Sequence, residues 1–383
     1  MANVQVVRQI SNVLGLAVSP SPATGYMFAG GASAPTSGQN LLNFIPRVQS
    51  VSIATNIARE DVNQYGQLDR IDTLITTPPT TTLNFDYYLL DGYAESLLGF
   101  AASGQQSFVS GLIDGTQSEK NYFLGVAPEG VDLIGSSPSS ANNLNVIGIG
   151  NGVVSNYTMT LQVGQIPRAS VTIEGTNQQA YNGSTGKASP AIDPNTSLQV
   201  VGPLWTLPTM SGYTGASVQP ALRPGDVRIG MPRTGGFTDY TSGIGQFIVQ
   251  GVTMSVPIAL DYINQLGSPY PIAKRIRFPV NCTLSVDAMQ GDIAEDNLAS
   301  VFCSDDPINI IVTLDNPSCT RTGPSAITVN FNQAKFVSRD YTSSIGQSST
   351  VRYTFTNQLA GITAGYAGRG IVFNGTYGRV PTL

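Results

Sequence analysis

The 383-residue chain contains no histidine. That removes the commonest general base, the commonest metal ligand and every Ser-His or Cys-His nucleophile pair. Charge is scarce as well: 11% of residues are Asp, Glu, Lys or Arg, against about a quarter in an average globular protein. A polar but weakly charged surface suits packing against copies of itself, where each buried charge needs a partner. The three cysteines, Cys282, Cys303 and Cys319, all lie in the second half. An odd set confined to one half is no disulfide framework, and without a Cys-x-x-Cys pair it marks no metal site; reduced thiols of a cytoplasmic protein are expected. No run of about 18 apolar residues occurs, so no transmembrane helix is expected. The mildly apolar stretch Ile10–Val18 lacks the flanks of a signal peptide, and the start reads as mature sequence. A net charge of −5 leaves no electrostatic footprint for gripping nucleic acid.

What the chain does have is a repeat. Residues 48–86 recur at 249–287 with a constant offset of 201 and no gap, and fourteen of the 39 aligned pairs are identical. The identities include Val48/Val249, Val51/Val252, Ile57/Ile258, Gly66/Gly267, Ile75/Ile276, Leu83/Leu284 and Asp86/Asp287. A period this long is the size of a domain, not of a solenoid repeat or propeller blade. Two copies of one module are therefore expected, with domains at 1–175 and 222–383 and a Gly/Pro/Ser/Thr-rich linker at 176–221.

Residues 1–46 read as loop. Arg47–Ile57 alternates apolar Val51, Ile53 and Ile57 with polar Ser50, Ser52 and Asn56, which predicts a strand. Arg59–Asp72 reads as a long polar connection turning at Gly66. Thr73–Leu90 is β-rich, and Pro78-Pro79 divides it into two strand segments. A short helix follows in each copy, from Asp91 to Phe100 and after Gly291; Asp292 and Glu295 have capping-box spacing, and these acids read as caps. Further strands are predicted at Asn145–Ile149, Asn156–Val163, Ala169–Glu174, Ile308–Leu314, Ala326–Phe331 and Thr350–Asn357. Many short strands with little helix make a mainly β protein, a sandwich or partly closed barrel. Asp239–Gln246 echoes Asp340–Gln347 and reads as a recurrent turn that launches a strand.

Candidate chemistry is thin. The glycines of Gly148–Gly152 lack the full spacing of a phosphate loop and read as a flexible turn. Ser304-Asp305-Asp306 reads as a solvated turn rather than a cation site. A glycosidase needs only two carboxylates, but Asp86/Asp287 and Glu60/Asp261 give one position each per module and no more. No enzyme activity, metal or cofactor is expected.

The repeated cores carry a resemblance: Val48-Gln49-Ser50-Val51 leading to Asn63-Gln64-Tyr65-Gly66, then Leu83-Asn84-Phe85-Asp86-Tyr87-Tyr88 and the short helix. In copy two, Pro279–Asp287 and Ser343-Ser344-Ile345-Gly346 before Thr350-Val351 add to it. The chain resembles the tail tube proteins of long-tailed bacteriophages, in a form with a duplicated tube domain. The resemblance implies two tandem tail-tube-like β-sandwich/barrel domains, each with one short flanking α-helix and extended hairpin arms. It implies a virion structural protein whose homo-oligomeric rings stack into a hollow tube conducting DNA from capsid to host. Two domains per chain imply trimers with pseudo-sixfold symmetry, joined to other tail proteins in the virion tail and assembled in the host cytoplasm. DNA would pass without specific binding, and no membrane is involved.

By register, the inner-wall hairpin arms would present Val48, Ser50, Ser52, Ala54, Asn56, Thr82, Asn84 and Asp86, and in copy two Val249, Gly251, Thr253, Ser255, Thr283, Ser285 and Asp287. The connections reaching adjacent subunits would carry Arg59, Glu60, Asn63, Gln64, Asp69 and Arg70, with Asp261, Asn264, Gln265, Lys274 and Arg275. Arg70, Lys274, Arg275 and Arg277 are expected to pair with acids at subunit joints. The alternatives are another tail component of tube-like fold (terminator, neck or hub), a non-assembling β-rich adhesin or receptor-binding protein, and a β-fold carbohydrate-active enzyme.

Overall fold

Alternation of apolar and polar side chains builds most of the molecule. Along Thr80–Tyr88, Leu83, Phe85 and Tyr87 are buried while Thr82, Asn84 and Asp86 stay accessible, the period-2 pattern of a sheet with one covered face. The structure is a computed structural model. It describes residues 14–20, 43–102, 104, 106–113, 119–126, 145–182, 187–188, 190–193, 198–199, 205–206, 222–230, 247–290, 308–316, 325–343, 349–359 and 370–376.

The first half gives strands β1 (Leu14–Pro20), β2 (Asn43–Ile45), β3 (Val48–Asn56), β4 (Arg59–Val62), β5 (Asp72–Ile75) and β6 (Thr80–Tyr88). Helices α1 (Tyr93–Leu98) and α2 (Ser110–Ile113) follow, then β7 (Lys120–Val126), β8 (Asn145–Gln162), β9 (Arg168–Gly175) and β10 (Asn177–Asn182). Four two-residue strands come next: β11 (Lys187–Ala188), β12 (Ile192–Asp193), β13 (Leu198–Gln199) and β14 (Trp205–Thr206). The second half gives β15 (Val227–Gly230), β16 (Phe247–Pro257), β17 (Leu260–Ile263), β18 (Ala273–Ile276) and β19 (Asn281–Gln290). It ends with β20 (Ile308–Asp315), β21 (Ser325–Thr342), β22 (Thr350–Gln358) and β23 (Gly370–Gly375). The fold is mainly β, and among the described residues no helix is long and apolar enough to cross a membrane.

Within one 15-stranded sheet runs an antiparallel path of eight strands, β3-β6-β9-β8-β16-β19-β22-β21. Each half supplies four of them in the same order. Val51 pairs with Phe85 and Val252 with Val286, and a bulge follows Val48 and Val249 alike. The matched register continues where sequence identity fades. The β8–β9 bulge between Val154 and Asn156 has its counterpart on β21–β22 between Phe336 and Ser338. Asn151 (φ 51) and Gln333 (φ 55) adopt the left-handed conformation, uncommon for any residue but glycine. Each donates its backbone N–H to an asparagine side chain, that of Asn121 (3.2 Å) or Asn309 (2.8 Å).

The core lies between this path and the outer strands. Tyr157, Met159, Ile173, Met254, Leu284, Phe331 and Phe373 are fully buried, each worth roughly 1.5–3 kcal/mol of transfer free energy. Phe100 stacks on Phe108 with ring centroids 4.2 Å apart, seating α1 and α2 against Tyr157.

Several sequence expectations change. Residues 1–46 were expected as loop, yet β1 pairs along the whole of β7 and β2 joins its other edge. Gly148–Gly152 is no flexible turn but part of the first half of β8. Glycine is needed there because a Cβ on Gly150 would lie 2.2 Å from the Pro190 carbonyl oxygen, and one on Gly152 would meet the Tyr122 ring. The connection Arg59–Asp72 folds as the β4–β5 hairpin. Part of the segment read as linker is β10, hydrogen-bonded to β8. Asp340–Thr342 ends β21 instead of forming a turn. The cap of α1 is Gly92, at φ 88; Asp91 does accept the Tyr93 N–H, but Glu95 is buried and accepts the hydroxyls of Tyr87 (2.7 Å) and Tyr157 (3.1 Å). The helix expected after Gly291, residues 304–306, Cys303, Cys319 and Asp239–Gln246 lie outside the described residues.

Candidate assembly interface

The two halves are joined edge to edge. Residues 251–257 of β16 pair antiparallel with residues 162–156 of β8, and the ladder runs on through Val163 N–H to Gln250 O (2.9 Å) and Ile258 N–H to Ser155 O (2.8 Å). These two bonds fix the alternation: Val252, Met254, Val256 and Ile258 aim their N–H groups at the first half. Their side chains are buried on the core face beside Leu161, Met159 and Tyr157.

The β17–β18 hairpin then lies against the first half. Tyr262 donates its hydroxyl to the Glu174 carboxylate, and Lys274 donates to the carbonyl oxygens of Asn151 (2.5 Å) and Glu174 (3.3 Å). The Lys274 ammonium also sits 5.9 Å from the Tyr262 ring centroid. Burial pushes its pKa down to about 8, against the opposing pull of Glu119 and Glu174. Lys274 was expected to pair with acids; it caps backbone carbonyls instead, one of them made available by the left-handed turn of Asn151.

Among the described residues, nothing pairs with the matching edges at the two ends of the path: β3 pairs only with β6, and residues 338–342 of β21 pair only with β22. Positions that the joint buries in the second half are open in the first: Ile57 is 44% exposed where Ile258 is 1% exposed. On β21, Tyr341 is 54% exposed at the register position of fully buried Met159. The β4–β5 hairpin exposes Val62, Ile71, Leu74 and Ile75 around its ladder, and its tip exposes Tyr65 and Leu68.

The residues expected in the arms fall on one face. Ser50, Ser52, Ala54, Asn56, Thr82, Asn84, Asp86, Gly251, Thr253, Ser255, Thr283, Ser285 and Asp287 alternate with core side chains and line the side of the path away from the core. Val48 and Val249 do not, because the adjoining bulge turns them onto the core. Hydroxyl side chains run across strands on this face, as in the row Thr158, Ser255, Thr283 and Thr356. Asp86 accepts from Ser50 (2.7 Å) and from Ser170, whereas Asp287 pairs with Arg352 at 2.6 Å.

Of the residues expected in the connections, Arg59 and Glu60 are in β4, Asn63, Gln64 and Asp69 in the loop beyond it, and Arg70 bonds Asp61 at 3.2 Å. In the second hairpin Asp261 pairs with Arg277, Asn264 and Gln265 lie in the loop, and Lys274 and Arg275 are in β18. Sequence reasoning missed the edge of β21 and the Asn121/Asn309 brackets; asparagine after a strand's first residue in both copies was the available signal.

No protein-family model matches the sequence, and no curated protein matches it. Among solved structures, a chain from the cryo-EM structure of the anti-feeding prophage (AFP) baseplate, sixfold symmetrised, aligns with 36% of this chain and 93% of its own at 13% identity. Its TM-score is 0.25.

Proposed function

We propose that the chain is a virion structural protein, the major subunit of a phage-like tail tube, whose rings stack into a hollow conduit for DNA. The observation that carries this reading is the β8–β16 joint, a finished module-to-module contact whose two complementary edges are open at the ends of the same sheet. A heterologous contact of this kind repeats until it closes a ring or extends a helix. Three chains, each giving eight strands to the path, would close a barrel of twenty-four, with six nearly equivalent four-strand sets. Closure also removes the edge-strand liability that an isolated chain carries.

The hydroxyl-rich face supports a passage for DNA. Ser and Thr offer hydrogen bonds to water but no fixed positive charge, so phosphates would find no row of counterions to hold them. Asp287 neutralises Arg352 on that face and Asp86 adds negative charge, while Arg168, opposite Thr160, is an exposed cation there. Membranes and cofactors have no part in this mechanism. Negative-stain microscopy of the purified protein tests the reading: hollow tubes, or threefold rings with near-sixfold outline, are expected. Rings that never stack would favour a terminator, neck or hub role, and dispersed monomers at all concentrations would overturn assembly altogether.

A further inference from the structure

We infer that the chain joins a second copy of itself by antiparallel pairing of residues 51–56 of β3 with residues 343–338, the end of β21 and the residue after it, in the register that β16 already uses on β8. The inference rests on the self-assembly reading above and specifies its interface. Within the chain Val252 faces Leu161, Met254 faces Met159 and Val256 faces Tyr157. Strand β3 repeats β16, since both pair with their hairpin partner in one register around one bulge. Likewise β21 repeats β8, since both carry the same bulge against β22 or β9. Transferring the joint places Val51 opposite Ser343, Ser52 opposite Thr342, Ile53 opposite Tyr341, Ala54 opposite Asp340, Thr55 opposite Arg339 and Asn56 opposite Ser338.

Three further features fit this placement. The bond from Ile258 N–H to Ser155 O maps onto Ile57 N–H and Val337 O, and the two side chains so matched are both exposed, 44% and 56%. Ile53 and Tyr341 meet on the core face, where their equivalents Met254 and Met159 are fully buried. The β4–β5 hairpin is carried over the neighbour's Gln333, which holds the left-handed conformation of Asn151. Thr73 of that hairpin takes the place of Lys274, so this joint lacks the ammonium latch. It offers exposed Leu74 and Ile75 instead, where the second hairpin has Arg275 and core-packed Ile276. At the hairpin the contact between copies is thus more apolar than its counterpart within a chain, whereas along the strands it is more polar, with Thr55 and Arg339 where the chain pairs Val256 with Tyr157.

Cysteine cross-linking tests the register. Ser52 and Thr342 map onto a pair that exchanges no backbone bonds, where side chains approach most closely. The full-length double variant Ser52→Cys, Thr342→Cys is assembled and mildly oxidised, then run without reductant. A covalent ladder ending at the trimer is expected, and equal mixing of the two single variants should give dimers only. Ser52→Cys with Ser338→Cys, four residues out of register, should stay monomeric on the gel. Ala54→Cys with Asp340→Cys serves as a second in-register pair in case the first variant fails to assemble. Assemblies visible by microscopy without in-register cross-links would overturn this interface and leave the tube reading standing. Absence of assembly by the wild-type protein would overturn both.

Discussion

The ammonium of Lys274 lies 2.5 Å from the carbonyl oxygen of Asn151, a contact between the two halves of the chain, and that lysine is buried. Burial lowers its pKa to about 8, whereas the unfolded chain holds the same proton up to about 10.4. Between those values the unfolded state binds more protons, so this group's contribution to stability rises with pH, by about 3 kcal/mol across the window. Lys274→Met should flatten that rise. Lys120, also lowered to about 8 by burial, contributes in the same window but cancels when variant and wild type are compared. Melting curves from about pH 7.5 to 10.5 measure the difference. A constant gap between the two proteins would show that Lys274 does not titrate there.

Proline at Ile53 should separate folding from assembly. The equivalent Met254 directs its N–H across the joint, so the Ile53 N–H points out of the β3–β6 pair, where proline is tolerated at a sheet edge. The Ile53→Pro monomer should keep a near-native circular dichroism spectrum and form no rings. Normal tubes from this variant would place β3 outside the interface.

Ile57 and Ile258 share one position but not one environment. Ile258→Ala should cost about 2–5 kcal/mol in urea unfolding of the monomer, as for a buried aliphatic side chain. Ile57→Ala should cost less than about 1 kcal/mol there and act mainly by weakening assembly. Equal losses in the monomer would mean that Ile57 is already covered.

Glu95 is enclosed by Tyr87 and Tyr157, and burial holds its pKa above the usual carboxylate range despite their hydrogen bonds. A carboxyl raised in this way favours the fold most below its unfolded pKa, about 4.3, and loses that advantage as pH climbs through the folded value. Glu95→Gln removes the charge and keeps an acceptor for a tyrosine hydroxyl. It should raise the melting temperature at pH 7 and remove this part of the pH dependence. A destabilised glutamine variant at neutral pH would show that the ionised form is needed.

Much of the fold was legible because strands record their burial in alternate residues. Leu83, Phe85 and Tyr87 announce β6, and the ungapped offset from Val48 to Asp86 forces the same faces inward at Val249 to Asp287. Lys274 could be read only as a cation near a joint. Its burial and its carbonyl partners depend on Asn151, 123 residues away. The length of β8 was hidden by glycines whose role is to admit the Pro190 backbone and the Tyr122 ring.

The sequence by itself determined the local architecture: two hairpin units, their inward and outward faces, and a chain short of charge and without histidine. These follow from periodicity and composition, which each segment carries alone. Only the tertiary structure decided which edges meet. Backbone N–H and C=O groups are the same in every strand, so an edge's partner is set by where neighbouring strands, bulges and hairpins hold it. That is why β8 takes β16 within the chain while β3 and the end of β21 have matching edges that no described strand pairs.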